Sequence, residues 1–290
     1  MLPTHGRYDY APIIRRRDFS WPEGKRLAFY VAINLEHFAF GEGLGASLAP
    51  GGPQPDVLNF SWRDYGNRVG AWRLLQMLDE LRLPSCAITN AAIFDYCPEL
   101  PKAFVDRGDE IVAHGRTNSE RQGEIDEKAE AELIADSTEI LTRYVGRRPR
   151  GWLSPWISES RVTPDLLQEA GYTYLLDWCH DDQPVWFRTR RGKLLSLPYP
   201  QEVNDIPAII ARQTSASDFA DMIVDQFREM QRQSNEQPLT MGVALHPYIV
   251  GQPYRLRHLR RAFGEIAGER GNVWYTTPSA IADAVGADTT

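Results

Sequence analysis

The chain of 290 residues holds only three cysteines, Cys86, Cys97 and Cys179, an odd number without metal-site spacing. A disulfide framework and a cysteine-built zinc site are excluded by that count, and reduced thiols in a cytoplasmic setting are expected. Cys86 lies inside an apolar run and Cys97 directly precedes Pro98, so neither reads as an activated thiolate. Positive charge is short as well, with 32 Lys and Arg against 39 Asp and Glu and a net charge of -7. No nucleic-acid or anionic-membrane partner is expected of such a chain. No apolar run approaches the length of a membrane span. Met1 to Arg17 is polar, aromatic and basic, unlike the apolar leader of an exported protein. Gly-x-Gly-x-x-Gly, P-loop, Gly-x-Ser-x-Gly and His-Glu-x-x-His motifs are all missing, which argues against nucleotide, phosphoryl-transfer, serine-hydrolase and zincin chemistry together.

What is present is an ordinary share of apolar residues, 42%, enough for one large core. Leu27 to Ile33 is apolar without a break, which is how a strand buried on both faces reads, and the chain then turns polar at Asn34, Glu36 and His37. That event recurs. Ser85 to Asn90, Glu110 to Ala113, Tyr174 to Asp177, Leu194 to Pro198, Leu239 to Leu245 and Asn272 to Tyr275 read as further strands, seven in all. Between them lie amphipathic helices, among them Trp72 to Leu81, Pro98 to Asp106, Glu124 to Tyr144 and Ser217 to Arg232. This alternation predicts an α/β fold, near the eight strands of a closed barrel and compatible with an open doubly wound sheet. Residues 1–26, with Pro3, Pro12 and Pro22, read as an arm, and 27–290 as a single domain. The long loop from Gly41 to Pro55 reads as a lid or an assembly contact.

Glu36 with His37, His114, Asp177 and His246 each fall just past a strand, and in a parallel barrel those ends converge on one mouth. Two histidines and two carboxylates there are a parts list for general acid–base hydrolysis. His5, His180 and His258 have no such placement and read as ordinary side chains. Trp152, Trp156 and Trp178 stand beside the polar cluster and serve equally as core or as a flat substrate wall. Arg147, Arg148 and Arg150 read as a solvated loop.

The order of motifs resembles the polysaccharide deacetylase, or NodB-homology, family of distorted seven-stranded (β/α) barrels. Asn34 to Phe38 stands where that family has Thr-Phe-Asp-Asp-Gly, His114 to Asn118 where it has its His-x-x-x-His metal motif, and Leu153 to Trp156 where it has Arg-x-Pro-Tyr. Asp177 and Leu245-His246 match its later aspartate and its catalytic acid. Three positions depart: His37 replaces the metal-binding aspartate, Asn118 the second metal histidine, and Leu153 the arginine that steadies the base. Such a first motif, with the segment Tyr65 to Arg73, is similar to a branch of cofactor-independent allantoinases, cyclic imide hydrolases and certain peptidoglycan deacetylases, which commonly form tetramers. The resemblance implies a hydrolase of non-peptide C–N bonds in a small cyclic amide, imide or ureide. Glu36 would be the base, His246 the acid and Asp177 its orienting partner, with Arg116, Asn118 and the tryptophans holding the substrate. No cofactor is expected to be required, and a divalent metal such as zinc would bind weakly through His114 and His37. The other readings are an N-deacetylase of an amino sugar or peptidoglycan fragment, and a catalytically dead barrel that binds a small ligand.

Overall fold

The computed structural model describes residues 3–269 and 271–287. The first two residues of the arm and the last three of the domain lie outside the described residues. β1 (Leu27–Leu35) is followed by α1 (Val57–Tyr65), whose N-terminus is capped by the Asp56 side chain accepting from the Asn59 amide. A π-helical turn, Gly66–Gly70, joins it to α2 (Ala71–Leu81). Then come β2 (Ser85–Thr89), α3 (Ile93–Tyr96), α4 (Glu99–Arg107), β3 (Glu110–Ala113), α5 (Glu127–Val145) and β4 (Gly151–Trp152). The chain continues through α6 (Thr163–Glu169), β5 (Tyr174–Leu175), β6 (Val185–Arg188), β7 (Lys193–Ser196) and α7 (Ala216–Gln233). β8 (Leu239–Leu245), α8 (Pro247–Val250), α9 (Pro253–Gly268), β9 (Val273–Tyr275) and α10 (Pro278–Ala287) complete it.

The strands run in the order β6-β7-β5-β4-β3-β2-β1-β8, with β9 added to β1. Every pair is parallel except β6–β7. The sheet curls until the stretch after β7 meets β8 through one bridge, Asn204 to Ala244. It is a distorted, NodB-like (β/α) barrel, as expected from the motifs, but with nine strands among the described residues rather than seven. The two additions are β4, too short at two residues to show an alternation, and β6, the short antiparallel hairpin partner of β7.

Side-chain parity along the strands decides what faces where. On β1, Leu27, Phe29, Val31, Ile33 and Leu35 pack outward against the helices, while Ala28, Tyr30 and Ala32 fill the barrel interior. The same alternation puts Val112 inside and Ile111 and Ala113 outside, and Ala244 inside and Val243 and Leu245 outside. One more step along each strand therefore aims Glu36, His114 and His246 inward. On β5 the interior residues are Tyr174 and Leu176, so Asp177 starts on the other side.

The arm packs on its own barrel: Arg7 forms a two-pronged bond to Asp165, Arg16 another to Asp181, and Tyr8 stacks on His180 and Phe187. Tyr10 and Ile14 remain exposed. The loop from Gly41 to Pro55 lies against the mouth, with Leu44 bonded to the Ser119 carbonyl and the Ala46 carbonyl accepting from Arg63. Gly66 and Gly70 belong to a close approach, since a Cβ would stand 2.7 Å from the Tyr248 nitrogen and 2.1 Å from the Pro247 oxygen. That contact holds the segment after His246 against the π turn.

Candidate active site

Glu36, the inward residue after β1, is buried at the mouth. Its Oε1 accepts from Asn118 Nδ2 at 2.6 Å and its Oε2 from the Tyr248 hydroxyl at 3.1 Å. His246 Nε2 stands 3.4 Å from Oε1, and His114 Nε2 3.6 Å from it. Asn90 braces the group by donating to Asn118 Oδ1 and to the His114 carbonyl while accepting from the His37 amide. The carboxylate therefore has little freedom to turn.

His246 is held from behind by Asp205, which accepts from both its Nδ1 (2.6 Å) and its backbone amide (2.7 Å). This arrangement fixes the ring and aims Nε2 at Glu36. Burial alone would lower the His246 pKa, but the charges of Asp205 and Glu36 outweigh it and push it up to about 10. Burial alone would raise the Glu36 pKa, and the His246 charge pulls it down to about 2. Burial lifts the Asp205 pKa against the pull of His246. The resting site is a buried ion pair of carboxylate and imidazolium.

The orienting carboxylate is thus Asp205, which corrects the expectation for Asp177. Asp177 accepts instead from the Ser154 amide (2.7 Å) and hydroxyl (2.8 Å), following its opposite parity. Burial pushes its pKa up, as it does that of the neighbouring Glu159, whose Oε2 accepts from Trp178 Nε1 at 2.9 Å. Asp177 shapes the loop of Trp156 rather than the histidine.

The cavity in front of Glu36 has a volume of about 140 Å³ and is lined by Asn34, Phe38, His114, Asn118, Leu153, Ser154, Trp156, Ile157, Tyr199, Gln201, Asn204, Ile206, Pro207, His246 and Tyr248. Of the expected substrate contacts, Asn118 and Trp156 are here. Trp156 and Ile157 both hold a left-handed backbone (φ 61° and 53°), and Trp156 Nε1 donates to the Asn118 carbonyl at 2.9 Å. Such conformations cost about 1–3 kcal/mol each and cluster at working sites. Trp152 is a core residue, directed outward with its Nε1 on Gln122 and Ser154. Trp178 packs with His5, Tyr8 and Phe187 below the arm, and Arg116 pairs with Glu120; neither lines the cavity.

A larger cavity of about 290 Å³ opens among Glu110, Arg147, Arg148, Arg150 and Asp283, on the opposite ends of the strands. Arg150 is paired with Asp283 there, and no histidine joins them. It carries no acid–base set.

The metal expected from the motifs fits these residues poorly. His37, one residue beyond Glu36, takes the other face and stacks near Tyr96 in a separate small cavity with Phe60, Arg63 and Asp64. Its pairing with His114 is therefore corrected by strand parity. Asn118 turns its amide nitrogen to Glu36 and engages its oxygen with Asn90, so it offers no imidazole and no charge to a cation. Among the described residues no group of three His, Cys, Asp or Glu side chains is arranged as a ligand set.

The curled, largely parallel barrel is the NodB-like fold of solved structures described as polysaccharide deacetylases. Comparison with known proteins makes this specific: residues 56–175 match the family described as polysaccharide deacetylase, so the resemblance read from the motifs holds. A peptidoglycan deacetylase of Helicobacter pylori is 24% identical over 244 residues, 73% of this chain and 82% of that protein. The crystal structure of the Puue allantoinase superposes with a TM-score of 0.81 at 27% identity, covering 97% of this chain and 98% of that one. A Pseudomonas aeruginosa PAO1 protein described as a probable polysaccharide deacetylase gives 0.85 at 26%, covering 96% and 98%.

No helix among the described residues is long and apolar enough to cross a membrane.

Proposed function

We propose that this chain is a hydrolase of non-peptide carbon–nitrogen bonds whose substrate is a small neutral cyclic amide, imide or ureide. The observation that carries the reading is the line Asp205, His246, Glu36, which joins an oriented proton donor to a carboxylate at the cavity in the barrel mouth. A neighbour that is an allantoinase and a relative that is a peptidoglycan deacetylase support the reaction class. The cavity favours a single small ring: about 140 Å³ is close to the ~150 Å³ of an engineered cavity that admits benzene. Its lining contains the carboxamides of Asn34, Asn118, Gln201 and Asn204 and no Lys or Arg, which suits an uncharged substrate rich in N–H and C=O groups.

In this mechanism Glu36 takes a proton from water as the water oxygen bonds to the carbonyl carbon and the carbonyl electron pair moves onto its oxygen. Ile157 and Ser158 spend their amides inside the turn, on the Ser154 and Pro155 carbonyls. Pro155 has none, so the Trp156 N–H is the amide of this turn offered to the oxyanion. His246 gives its Nε2 proton to the leaving nitrogen as the C–N bond breaks. The proton on Glu36 then returns to His246 across 3.4 Å. A carboxylate held near a pKa of 2 is a weak base; it strengthens as His246 commits its proton to the leaving group.

The three free cysteines fit a cytoplasmic setting, and the exposed Tyr10 and Ile14 of the arm fit a contact in a homotetramer. The deciding experiment is turnover by purified protein on a panel of cyclic amides, imides, ureides and N-acetylated amino sugars, with Glu36→Gln alongside. Hydrolysis of the cyclic compounds that Glu36→Gln abolishes is expected. Turnover of the amino sugars alone would replace the reading with the deacetylase one, and no turnover at all would favour a binding barrel.

A further inference from the structure

His114 is left with nothing to do if no metal is held, yet its ring is as constrained as that of His246. Nδ1 stands 2.6 Å from the Leu153 carbonyl oxygen. A carbonyl only accepts, so Nδ1 carries a proton, and it is in the neutral form of such a ring that Nε2 presents a lone pair. That nitrogen is buried, lines the cavity and has no hydrogen-bond partner. Its neighbour at 3.6 Å is Glu36 Oε1, itself an acceptor and beyond hydrogen-bond reach. Two buried acceptors thus face one spot. Of the two, Nε2 is the one without a partner, at a cost on the order of 1–3 kcal/mol; Oε1 already accepts from Asn118 and has a further lone pair, so a molecule with two donor hydrogens serves both.

From this geometry we propose that His114 is a further catalytic residue, whose Nε2 lone pair holds the second hydrogen of the attacking water while Glu36 Oε1 takes the first. The inference rests on the hydrolytic reading of the site. Both acceptors fix the water, so that one of its oxygen lone pairs is aimed at the carbonyl carbon. When the new C–O bond forms, the hydrogen facing Glu36 transfers as a proton and the one facing His114 stays on the added hydroxyl. His114 neither gains nor loses a proton. The position that serves as a metal ligand in the family's motif here does the water-holding part of that task directly.

The test uses the intact protein. With 15N-labelled histidine, the His114 resonances at neutral pH are expected to show a protonated Nδ1 and an unprotonated Nε2, and zinc added alone is expected not to displace them. His114→Leu, which removes the acceptor, is expected to lower kcat by about 10²-fold with KM little changed, the scale of a misplaced reactant. His114→Gln keeps an acceptor and is expected to recover part of that loss, which also covers the case in which the Leu variant does not fold. A protonated Nε2 would overturn the proposal, as would stoichiometric zinc lost in both variants, or a Gln variant no more active than a folded Leu one. If His114→Leu keeps its kcat while Glu36→Gln is inactive, this inference alone fails. If both keep it, the assignment of Glu36 as the base fails with it, and if the wild type turns over none of the panel, the hydrolytic reading fails as a whole.

Discussion

Asp205 grips His246 at two points, the ring Nδ1 and the backbone amide, and so fixes both where the imidazole stands and which nitrogen faces Glu36. The bond length of 2.6 Å and the complete burial of Asp205 mark a charge-assisted pair in a low-dielectric setting. Two consequences can be measured.

Asp205→Asn keeps the shape of the side chain but removes its charge, and it can present an N–H to Nδ1, reversing the tautomer. A fall in kcat of about 10²–10⁴-fold is expected, the range for mispositioning an acid–base histidine. Asp205 also holds the His246 pKa up, so the alkaline limb of the kcat profile should move to lower pH. An unmoved limb would mean that another group sets it.

The ion pair should also be visible in stability. The folded pKa of His246 lies above its ordinary 6.5, at about 10, so its contribution is complete below pH 6.5 and is lost as the pH rises through about 10. Glu36 runs the other way: its contribution is complete above 4.5 and is lost as the pH falls through about 2. The wild-type Tm is therefore expected to decline from pH 7 to 10 more steeply than that of His246→Gln. Parallel slopes for the two proteins would rule the imidazolium out.

How much of this was legible beforehand follows from where each residue sits. Glu36, His114 and His246 each stand directly after a strand, and a strand that gives way to a polar residue announces the mouth of a barrel. The strands also carry parity. Counting from Ala28, Tyr30 and Ala32 separates Glu36 from His37, and the same count on Leu176 and Leu153 sets Asp177 and Trp152 on the far side. Asp205 is different. It lies between β7 and α7 where a single bridge, Asn204 to Ala244, brings the chain to the mouth, and no periodicity in the sequence encodes one bridge. Arg116 and Trp178 adjoin the motifs in sequence yet turn to Glu120 and Phe187, because adjacency in sequence says nothing of direction once a strand has ended.

The last prediction concerns Glu159, which no motif singled out. It is half-buried, with its Oε1 enclosed beside Asp177 and its Oε2 accepting from Trp178 Nε1. Burial first, and then the Asp177 carboxylate, push its pKa well up, which favours the protonated acid in the folded chain. A group with a raised folded pKa gives its full stability below its unfolded value, 4.5 here, and loses it as the pH rises toward the folded one. Glu159→Gln supplies the neutral shape at every pH and so removes this loss. Near pH 4 the variant should melt with the wild type; at pH 8 it should melt higher, by about 2–4 °C for each kcal/mol recovered. Because Asp177 then keeps both bonds to Ser154, the loop of Trp156 should stay in place and kcat should be preserved. A variant that melts below the wild type at pH 8 would show that Glu159 is charged in the folded chain, and that its negative charge is balanced by a partner other than Asp177.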